Sequence, residues 1–292
     1  MMHTLRKPIS NKTRVLITGT SGMLGGVLES TWKDKFELLT VSGRAQFDFE
    51  TGNYEKLYRE TTPDVVIHAA ALTNLEYCEN NPRETLLVNG SSVEKLISSM
   101  PKVKIIFISS EAVFPPNTKN ATENTPTHAQ TVYGKSKELG ENHLIAAKIG
   151  AVVRTTIVGR NINKQGNSLT EWIVSSLNNK QSIALFDDVW FTPISIWHLA
   201  DALEWVIKNE TPKILHIAGG ERVTKHQFGS KLAIAMGLDE KLITVGKLRE
   251  SGLKAKRSNE MSLDSSLYEK LSGRKLPRLN EVIEMIVKSY NA

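Results

Sequence analysis

The chain has 292 residues, of which 40% are hydrophobic and 23% charged, with a net charge of +6 and one cysteine, Cys78. These values exclude a disordered chain, and no apolar run reaches the roughly 18 residues that a membrane-spanning helix needs. One cysteine excludes an internal disulfide, and the sequence has no Cys/His cluster that would predict a metal site. Residues 1–13 are short and basic and lack an apolar core, so they predict an N-terminal tail rather than a signal peptide, and a cytoplasmic protein.

Short buried strands alternate with helical stretches along the chain. Strands are predicted over 14–18, 36–41, 64–68, 103–108, 151–155, 183–186 and 214–217, and helices over 23–32, 54–60, 85–100, 132–148, 169–177, 196–208, 225–236 and 281–289. The alternation predicts an α/β fold, a doubly wound parallel sheet of the Rossmann type. We expect a dinucleotide-binding domain over 14–160. A smaller, mainly substrate-binding lobe is expected over 161–292, with some elements that return to the sheet.

A glycine-rich turn follows the first predicted strand and opens the first predicted helix. The sequence there, GTSGMLG, has the pattern GxxGxxG. Glycines allow a sharp turn and a close approach to a pyrophosphate, and the helix N-terminus supplies unpaired N–H groups. A purely structural turn is the alternative. The predicted cofactor-binding residues of this segment are Gly19, Thr20, Ser21, Gly22, Met23, Leu24 and Gly25.

The end of the second strand indicates which nucleotide is bound. An acidic residue there would bind the ribose 2′-hydroxyl of NAD, but this chain has Ser42 and Arg44. A small residue and an arginine leave space and positive charge for a 2′-phosphate, so NADP is favoured and NAD stays an option. In the alternative, Arg44 simply faces water. Asp48 and Phe49 are expected to border the adenine.

Tyr133 and Lys137 form a YxxxK pair, which a helix would place on one face, one turn apart. A lysine ammonium beside a phenol is expected to lower the tyrosine pKa and to make the phenol a usable proton donor and acceptor. Ser110 follows the fourth predicted strand. Because ligands bind at the carboxyl ends of parallel strands, Ser110 and Tyr133 are expected to bind the same substrate oxygen.

These motifs resemble the extended short-chain dehydrogenase/reductases, and among them the dTDP-4-dehydrorhamnose reductase group. The resemblance covers the chain from about residue 13 onwards. It rests on GTSGMLG at 19–25, VVIHAAALTNLEYCENNP at 65–82, ISSEAVF at 108–114, YGKSKELGE at 133–141, RTTIVG at 154–159, DVWFTPI at 188–194 and SLDSSL at 262–267.

The resemblance implies an enzyme that uses NADPH to reduce a nucleotide-activated keto-deoxysugar, such as dTDP-4-dehydrorhamnose, for surface-polysaccharide synthesis. It implies a catalytic triad of Ser110, Tyr133 and Lys137, of which Tyr133 and Lys137 also contact the cofactor. The further cofactor residues that it implies are Ala69, Ala70, Ala71 and Asn89. Ser110 and Glu111 would contact the substrate, and Arg257, with Lys254 and Lys256 nearby, would meet its diphosphate, with a solvated surface as the alternative. Trp190 is expected either to stack on the nucleotide base or to pack in the core of the smaller lobe.

One departure from the group concerns the sugar subsite. Ala112 stands where rhamnose-forming relatives usually have tyrosine, so a different sugar subsite is expected. The 4,6-dehydratases have an acid–base glutamate at this position, so a dehydratase is not expected. Two alternatives stay open: a sugar-nucleotide epimerase with the same triad, and a non-catalytic regulatory subunit of the same fold. The expected partner is a nucleotide sugar, with a homodimer as an option, and neither nucleic acid nor a membrane is expected.

Overall fold

The computed structural model describes residues 12–163, 166–252 and 257–291. Its strands are β1 (Arg14–Thr18), β2 (Glu37–Val41), β3 (Val65–His68), β4 (Lys104–Ser110), β5 (Ala151–Thr155), β6 (Ile157–Val158), β7 (Ile183–Phe186), β8 (Trp190–Phe191), β9 (Ile194–Ser195), β10 (Ile214–His216), β11 (Val223–Thr224), β12 (Ile243–Gly246) and β13 (Glu260–Met261). Its α-helices are α1 (Met23–Trp32), α2 (Tyr54–Thr61), α3 (Leu75–Asn80), α4 (Pro82–Leu86), α5 (Ser92–Ser99), α6 (Val132–Ala147), α7 (Leu169–Asn178), α8 (Ile196–Lys208), α9 (Lys225–Ala235), α10 (Ser266–Ser272) and α11 (Leu279–Asn291).

A six-stranded parallel sheet forms the centre of the fold, in the order β10-β5-β4-β3-β1-β2. The strands are short apolar runs that helices cover on both faces, as is usual for parallel sheets. The order reverses between β1 and β3, and in open α/β sheets the ligand crevice lies at such a point, outside the carboxyl ends of the strands. The predicted Rossmann-type fold class is confirmed.

Each face of this sheet has its own hydrophobic core. On one face, α1 and α8 pack together over residues such as Val15, Ile17 and Leu199, all of which are fully buried. On the other face, α2, α5 and α6 cover a core that includes Leu16 and Phe107. Because side chains alternate along a strand, neighbouring residues of β1 contribute to opposite cores.

The second half of the chain builds smaller sheets around a third core. Strands β11, β8 and β13 form one sheet, β12 pairs with β7, and β6 pairs with β9. Helices α7, α9 and α11 pack around Phe191 and Phe228 in this core. Strand β10 pairs with β5 and so belongs to the large sheet. The proposed division of the chain into two lobes at residue 160 stays a prediction.

Membrane insertion through a helix finds no support in the part of the chain that the structure describes. No helix there combines the length and the apolar character that crossing a bilayer requires.

Candidate active site

The glycine turn joins β1 to α1 at the point where the strand order reverses. Gly19 has a φ of +77°, and a Cβ at this position would lie 2.7 Å from the Ala70 Cα. A Cβ on Gly25 would lie 2.3 Å from the Gly19 carbonyl oxygen. Glycine is therefore required at both positions by the turn itself and by its contact with the segment after β3. The first amides of α1 have no helical acceptor and are available to an anion.

Side chains from a distant loop hold the outer edge of the same turn. The Asn161 amide donates to the Ser21 carbonyl oxygen at 2.9 Å, and the Asn163 amide donates to the Thr20 carbonyl oxygen at 3.0 Å. These bonds occupy carbonyl groups only. The N–H groups of Gly19, Thr20 and Gly22 donate to backbone carbonyl oxygens within the fold, so the N–H groups that remain for a pyrophosphate are those at the start of α1.

Arg44 lies beyond the end of β2, and its side chain is 57% exposed. Its guanidinium donates to Glu84 at 2.5 Å and lies 3.7 Å from the Asp48 carboxylate. The hydrogen bond to Glu84 and the Asp48 charge raise the pKa of Arg44. The exposed Ser42 donates its backbone N–H to Gln46. Arg44 therefore already has two carboxylate partners on the surface where a 2′-phosphate would lie.

Phe49 is buried more deeply than expected for a residue that borders the adenine. It is 7% exposed, and its ring packs against Phe47, Tyr54 and His68 at centroid distances of 5.0, 6.3 and 5.2 Å. Its neighbour Asp48 is partly exposed, and its carboxylate accepts a hydrogen bond from the Glu50 N–H. Of the two predicted residues, Asp48 is thus the more accessible.

His68 fixes the start of the segment that contains Ala69, Ala70 and Ala71. Ser92 donates its hydroxyl proton to the Val88 carbonyl oxygen, so it accepts a bond from His68 Nε2 at 3.1 Å. Thr18 then donates to His68 Nδ1 at 2.9 Å and accepts from the Ala70 N–H. Burial lowers the pKa of His68 to about 3, so the ring is neutral. The partly buried alanines lie beside the glycine turn, where the resemblance places the cofactor.

Asn89 is fully buried in a π-helical turn, Leu87–Ser91, that joins α4 to α5. Its side chain accepts a bond from the Leu72 N–H at 2.7 Å and donates to the Leu72 carbonyl oxygen at 2.9 Å and to Ser136 at 3.0 Å. Asn89 therefore connects the segment after β3 to the helix of the YxxxK pair. A contact of Asn89 with the cofactor stays a prediction.

Tyr133 and Lys137 both lie on α6, one turn apart, as the spacing predicts. Thr131 caps the helix by accepting a bond from the Gly134 N–H. A Cβ at Gly134 would lie 2.2 Å from the Ala112 carbonyl oxygen, so glycine lets the helix start pack directly on the turn after β4. Lys137 is 3% exposed, and its ammonium lies 4.0 Å from the centroid of the Phe107 ring. Burial lowers its pKa to about 7.

Ser110 is the last residue of β4 and lies near Tyr133. Its hydroxyl donates to the Glu111 carboxylate at 2.5 Å and accepts from the Ala112 N–H at 3.2 Å. Burial and the nearby Glu111 charge raise the pKa of Tyr133, and a hydrogen bond with Ser110 acts in the opposite direction. The expectation that Lys137 lowers this pKa is therefore wrong for the structure as it stands. Lys137 lies over Phe107, while the phenol is buried beside a carboxylate.

A buried ion pair holds the back of the site together. Glu141 accepts a bond from Ser109 at 2.5 Å and two bonds from Arg154, at 2.9 and 2.6 Å. The side chains of Glu141 and Arg154 are only 2% and 3% exposed. Because Glu141 lies on α6, Ser109 on β4 and Arg154 on β5, the pair fixes the helix of Tyr133 and Lys137 relative to the strand that carries Ser110.

A cavity of about 690 Å³ opens over Tyr133. Among the predicted substrate residues, Glu111 and Arg257 line it, and so does Ala112. Ala112 lies in a 3-10 turn, Glu111–Val113, rather than on a continuing strand. Lys254 and Lys256, the two other basic residues predicted near the diphosphate, lie outside the described residues.

Trp190 is placed differently from the expectation. It is absent from the cavity lining, and the Arg222 guanidinium lies 3.9 Å from the centroid of its ring. Arg222 is in turn paired with Glu260 at 2.5 Å. One face of the Trp190 ring is therefore already covered by the Arg222 guanidinium. Stacking of a nucleotide base on the other face of the ring stays a prediction.

Trp172 and Lys225 are among the residues of the cavity wall that the sequence reasoning missed. Trp172 on α7 is 42% exposed and lines the cavity, and Lys225, the first residue of α9, lines it too. The exposed position of Trp172 on an amphipathic helix was readable from the sequence. Nothing in the sequence around Lys225 signals that α9 begins at the cavity.

The fold and the site together define a nucleotide-binding α/β protein. Its glycine turn lies at the reversal of strand order, Ser110 ends β4 near Tyr133, and Lys137 follows Tyr133 by one turn of α6. The family comparison agrees with this class. A model described as RmlD substrate binding domain matches residues 13–292, and the chain belongs to that family. The predicted resemblance and the predicted class of protein, an oxidoreductase, are confirmed.

The names of individual relatives refer to different functions. The chain is 27% identical over 240 residues to the spore coat polysaccharide biosynthesis protein SpsK of Bacillus subtilis (strain 168), which covers 80% of this chain and 83% of that protein. It is 26% identical over 242 residues to methionine adenosyltransferase 2 subunit beta of Xenopus laevis, covering 77% and 72%. The crystal structure of dTDP-4-dehydrorhamnose reductase from Bacillus anthracis str. Ames in complex with NADP has the same fold. It superposes with a TM-score of 0.88 at 20% identity and covers 95% of this chain and 99% of that one.

Proposed function

We propose that this chain reduces the keto group of a nucleotide-activated deoxysugar with NADPH, in the synthesis of a surface polysaccharide. dTDP-4-dehydrorhamnose or an analogue is the substrate type. The observation that carries the proposal is that Tyr133, which lies near Ser110 and one helical turn before Lys137, lines a cavity large enough for a nucleotide sugar. SpsK and the NADP complex of the Bacillus anthracis reductase support it.

The residues present fit a dinucleotide cofactor. The turn at Gly19 has the tight geometry and the free helix amides that a pyrophosphate needs, and Arg44 offers a cation at the end of β2. Lys137 is proposed to bind the nicotinamide ribose, as the resemblance implies. When bound, a nicotinamide cofactor would supply the hydride.

The protein residues would supply the proton and the orientation. Because the pKa of Tyr133 is raised, its phenol is protonated at neutral pH and suits the role of proton donor to the ketone oxygen. Ser110 would donate to the same oxygen, which requires its hydroxyl to turn away from Glu111. The proton would thus pass from the Tyr133 oxygen to the substrate oxygen, and a proton from solvent would afterwards reprotonate Tyr133.

A second candidate function is that of a regulatory subunit without activity of its own. This candidate rests on the similarity to methionine adenosyltransferase 2 subunit beta. The intact set of Ser110, Tyr133 and Lys137 favours the reductase, because a binding subunit has no need of a proton donor. An epimerase with the same triad would return its cofactor unchanged.

The test is a screen of 4-keto nucleotide sugars for net oxidation of NADPH. A reductase consumes NADPH in proportion to the sugar, whereas an epimerase or a regulatory subunit does not. Tyr133→Phe should lower turnover by roughly 10²–10⁴-fold with little change in NADPH binding. Tyr58→Phe, on the remote helix α2, is the matched control. Near-normal turnover of the Tyr133 variant would contradict the assignment of the proton donor.

A further inference from the structure

Lys225 begins α9 and lies in the wall of the cavity that Tyr133 and Glu111 also line. Its ammonium lies 3.4 Å from the centroid of the Phe191 ring, which supports the side chain from below. Burial lowers the pKa of Lys225 to about 8; the Glu111 charge acts in the opposite direction, and the charge of Arg257, which lines the same cavity, lowers it further. The proposed chemistry does not use this lysine, although it lies beside the site.

Lys225 and Glu111 face the same space without touching. Among the described residues, the Lys225 ammonium has no hydrogen-bond acceptor and no carboxylate oxygen within 4.0 Å. Burying a charge without a partner is costly, so such a pair of separated charges is expected to receive a polar group between them. The two groups come from different parts of the fold, since Glu111 lies in the turn after β4 and Lys225 lies at the start of a helix that packs in the third core.

The chemistry of the two groups selects what fits between them. An anion would be repelled by the Glu111 carboxylate, and a cation would be repelled by the Lys225 ammonium. A hydroxyl group satisfies both, because it donates to the carboxylate and accepts from the ammonium. Hydrogen bonds to charged groups are also stronger than those between neutral groups. A sugar hydroxyl is therefore the matching ligand.

The position of Glu111 indicates which hydroxyl this is. Its carboxylate accepts a bond from the hydroxyl of Ser110, the group proposed to hold the ketone oxygen. The sugar carbon that comes next to Glu111 is then a neighbour of the carbonyl carbon. We propose that Lys225 and Glu111 together bind the hydroxyl adjacent to the keto group, and that Lys225 selects sugar nucleotides that retain this hydroxyl over deoxy analogues. This inference rests on the proposed reductase function.

The test compares two substrates and two variants. The substrates are the 4-keto sugar nucleotide with the highest kcat/KM in the screen and its analogue that lacks the C3 hydroxyl. Lys225→Met keeps an unbranched side chain over Phe191 but removes the charge, and Lys231→Met, on the exposed face of α9, is the control. We expect Lys225→Met to lower kcat/KM roughly 10- to 100-fold for the hydroxylated sugar and about twofold or less for the deoxy analogue.

Two results would overturn the inference. Equal losses for both sugars would mean that Lys225 does not read the hydroxyl. A comparable loss in the affinity of dTDP alone, measured by calorimetry, would mean that Lys225 binds the diphosphate instead. The Lys231→Met variant should match the parent in every assay.

A separate measurement keeps this inference distinct from the proposed function. If no 4-keto sugar nucleotide oxidises NADPH, the reductase proposal fails. Calorimetric titration with dTDP-rhamnose and its 3-deoxy analogue then decides the inference by itself. It stands if the parent prefers the hydroxylated ligand and Lys225→Met removes that preference. It falls if the parent binds both equally or binds neither.

Discussion

Replacing Arg44 with alanine is expected to change the binding affinities of NADPH and NADH differently. Arg44 lies just past Gly43 at the end of β2, where the ribose of the adenosine half is expected. Only NADPH carries a 2′-phosphate, so a contact with Arg44 would stabilise NADPH and leave NADH unaffected. We therefore expect Arg44→Ala to weaken NADPH binding alone.

The magnitude follows from the competition for this side chain. A charge-assisted hydrogen bond to the 2′-phosphate contributes about 1.5–3 kcal/mol. Arg44 must share or give up its contacts with Glu84 and Asp48, and exposed ion pairs of this kind contribute about 0.2–1 kcal/mol. The net preference for NADPH is then about 1–2 kcal/mol, which corresponds to a factor of roughly 5–30 in affinity.

The substitution Glu84→Gln is expected to change NADPH affinity in the opposite direction from Arg44→Ala. Glutamine can still accept a hydrogen bond from Arg44, but it no longer places a negative charge beside the 2′-phosphate. NADPH affinity should rise modestly, and NADH affinity should not change. Since the site is exposed, both effects should shrink as salt increases.

Fluorescence titration of both reduced cofactors, at low and at moderate ionic strength, measures these affinities. Arg59→Ala, which removes an exposed arginine from α2, is the control. Equal affinities of the parent for NADPH and NADH would refute the reasoning. So would equal losses for both cofactors in Arg44→Ala, because Arg44 would then act on the shared part of the dinucleotide or on the fold.

Two further predictions concern stability. Arg154→Met should cost about 3–5 kcal/mol of unfolding free energy because it leaves the Glu141 carboxylate buried without its partner, and the double variant with Glu141→Leu should recover part of the loss in denaturant titrations. The double variant unfolding as easily as the single one would contradict this account. Burial lowers the pKa of His68 to about 3 and of His216 to about 4, from an ordinary value of 6.5. The unfolded chain therefore binds more protons below pH 6.5, and each histidine should reduce stability by up to about 1.4 kcal/mol per pH unit as the pH falls towards 4. Unfolding free energies that stay flat between pH 6.5 and 4.5 would show that these rings are not buried in the neutral form.

The strands of the large sheet and most helices were predictable because each is a local pattern, whereas the strands of the smaller sheets, apart from β7, were not predicted. Apolar runs bounded by turn residues predict β1, β3 and β5 within a residue, and the apolar spacing predicts α8 over the same residues that the structure shows, Ile196–Lys208. The glycine turn was predictable for the same reason, since the sharp turn and the helix start lie within seven consecutive residues.

One helix differs from the prediction in a way that matters for the site. The apolar spacing predicts a single helix over 85–100, but the structure places the π-helical turn Leu87–Ser91 inside this stretch. A π-turn adds one residue to a helical turn and is common at functional sites. It changes the direction of Asn89, whose amide then binds Leu72 and Ser136, and apolar periodicity does not register such an insertion.

The sugar side of the site was hard to predict because distant segments build it. Arg222 covers Trp190 only because β11 pairs with β8, and Glu260 of β13 holds that arginine in place. The start of α9 brings Lys225 to a cavity whose other wall is the turn after β4. Neither arrangement has a local sequence signal, whereas Tyr133 and Lys137 lie on one helical turn.

Ala112→Tyr tests whether this chain has a sugar subsite different from that of the rhamnose-forming relatives. Ala112 lines the cavity, and its carbonyl oxygen would lie 2.2 Å from a Cβ on Gly134, so the backbone there is packed directly on α6. Because the backbone of this turn cannot shift towards α6, the added phenol must occupy part of the cavity and compete with the sugar for that space.

We expect kcat/KM for the best sugar in the screen to fall by roughly 10- to 200-fold, with an unchanged affinity for NADPH. We also expect the parent to reduce dTDP-4-dehydrorhamnose less efficiently than that sugar. Ala146→Tyr, at an exposed position of α6, controls for the effect of the phenol on folding. Steady-state kinetics with both sugars and a cofactor titration make the comparison. A parent that reduces dTDP-4-dehydrorhamnose as well as any other sugar, and an Ala112→Tyr variant that does the same, would show that position 112 does not shape the sugar subsite.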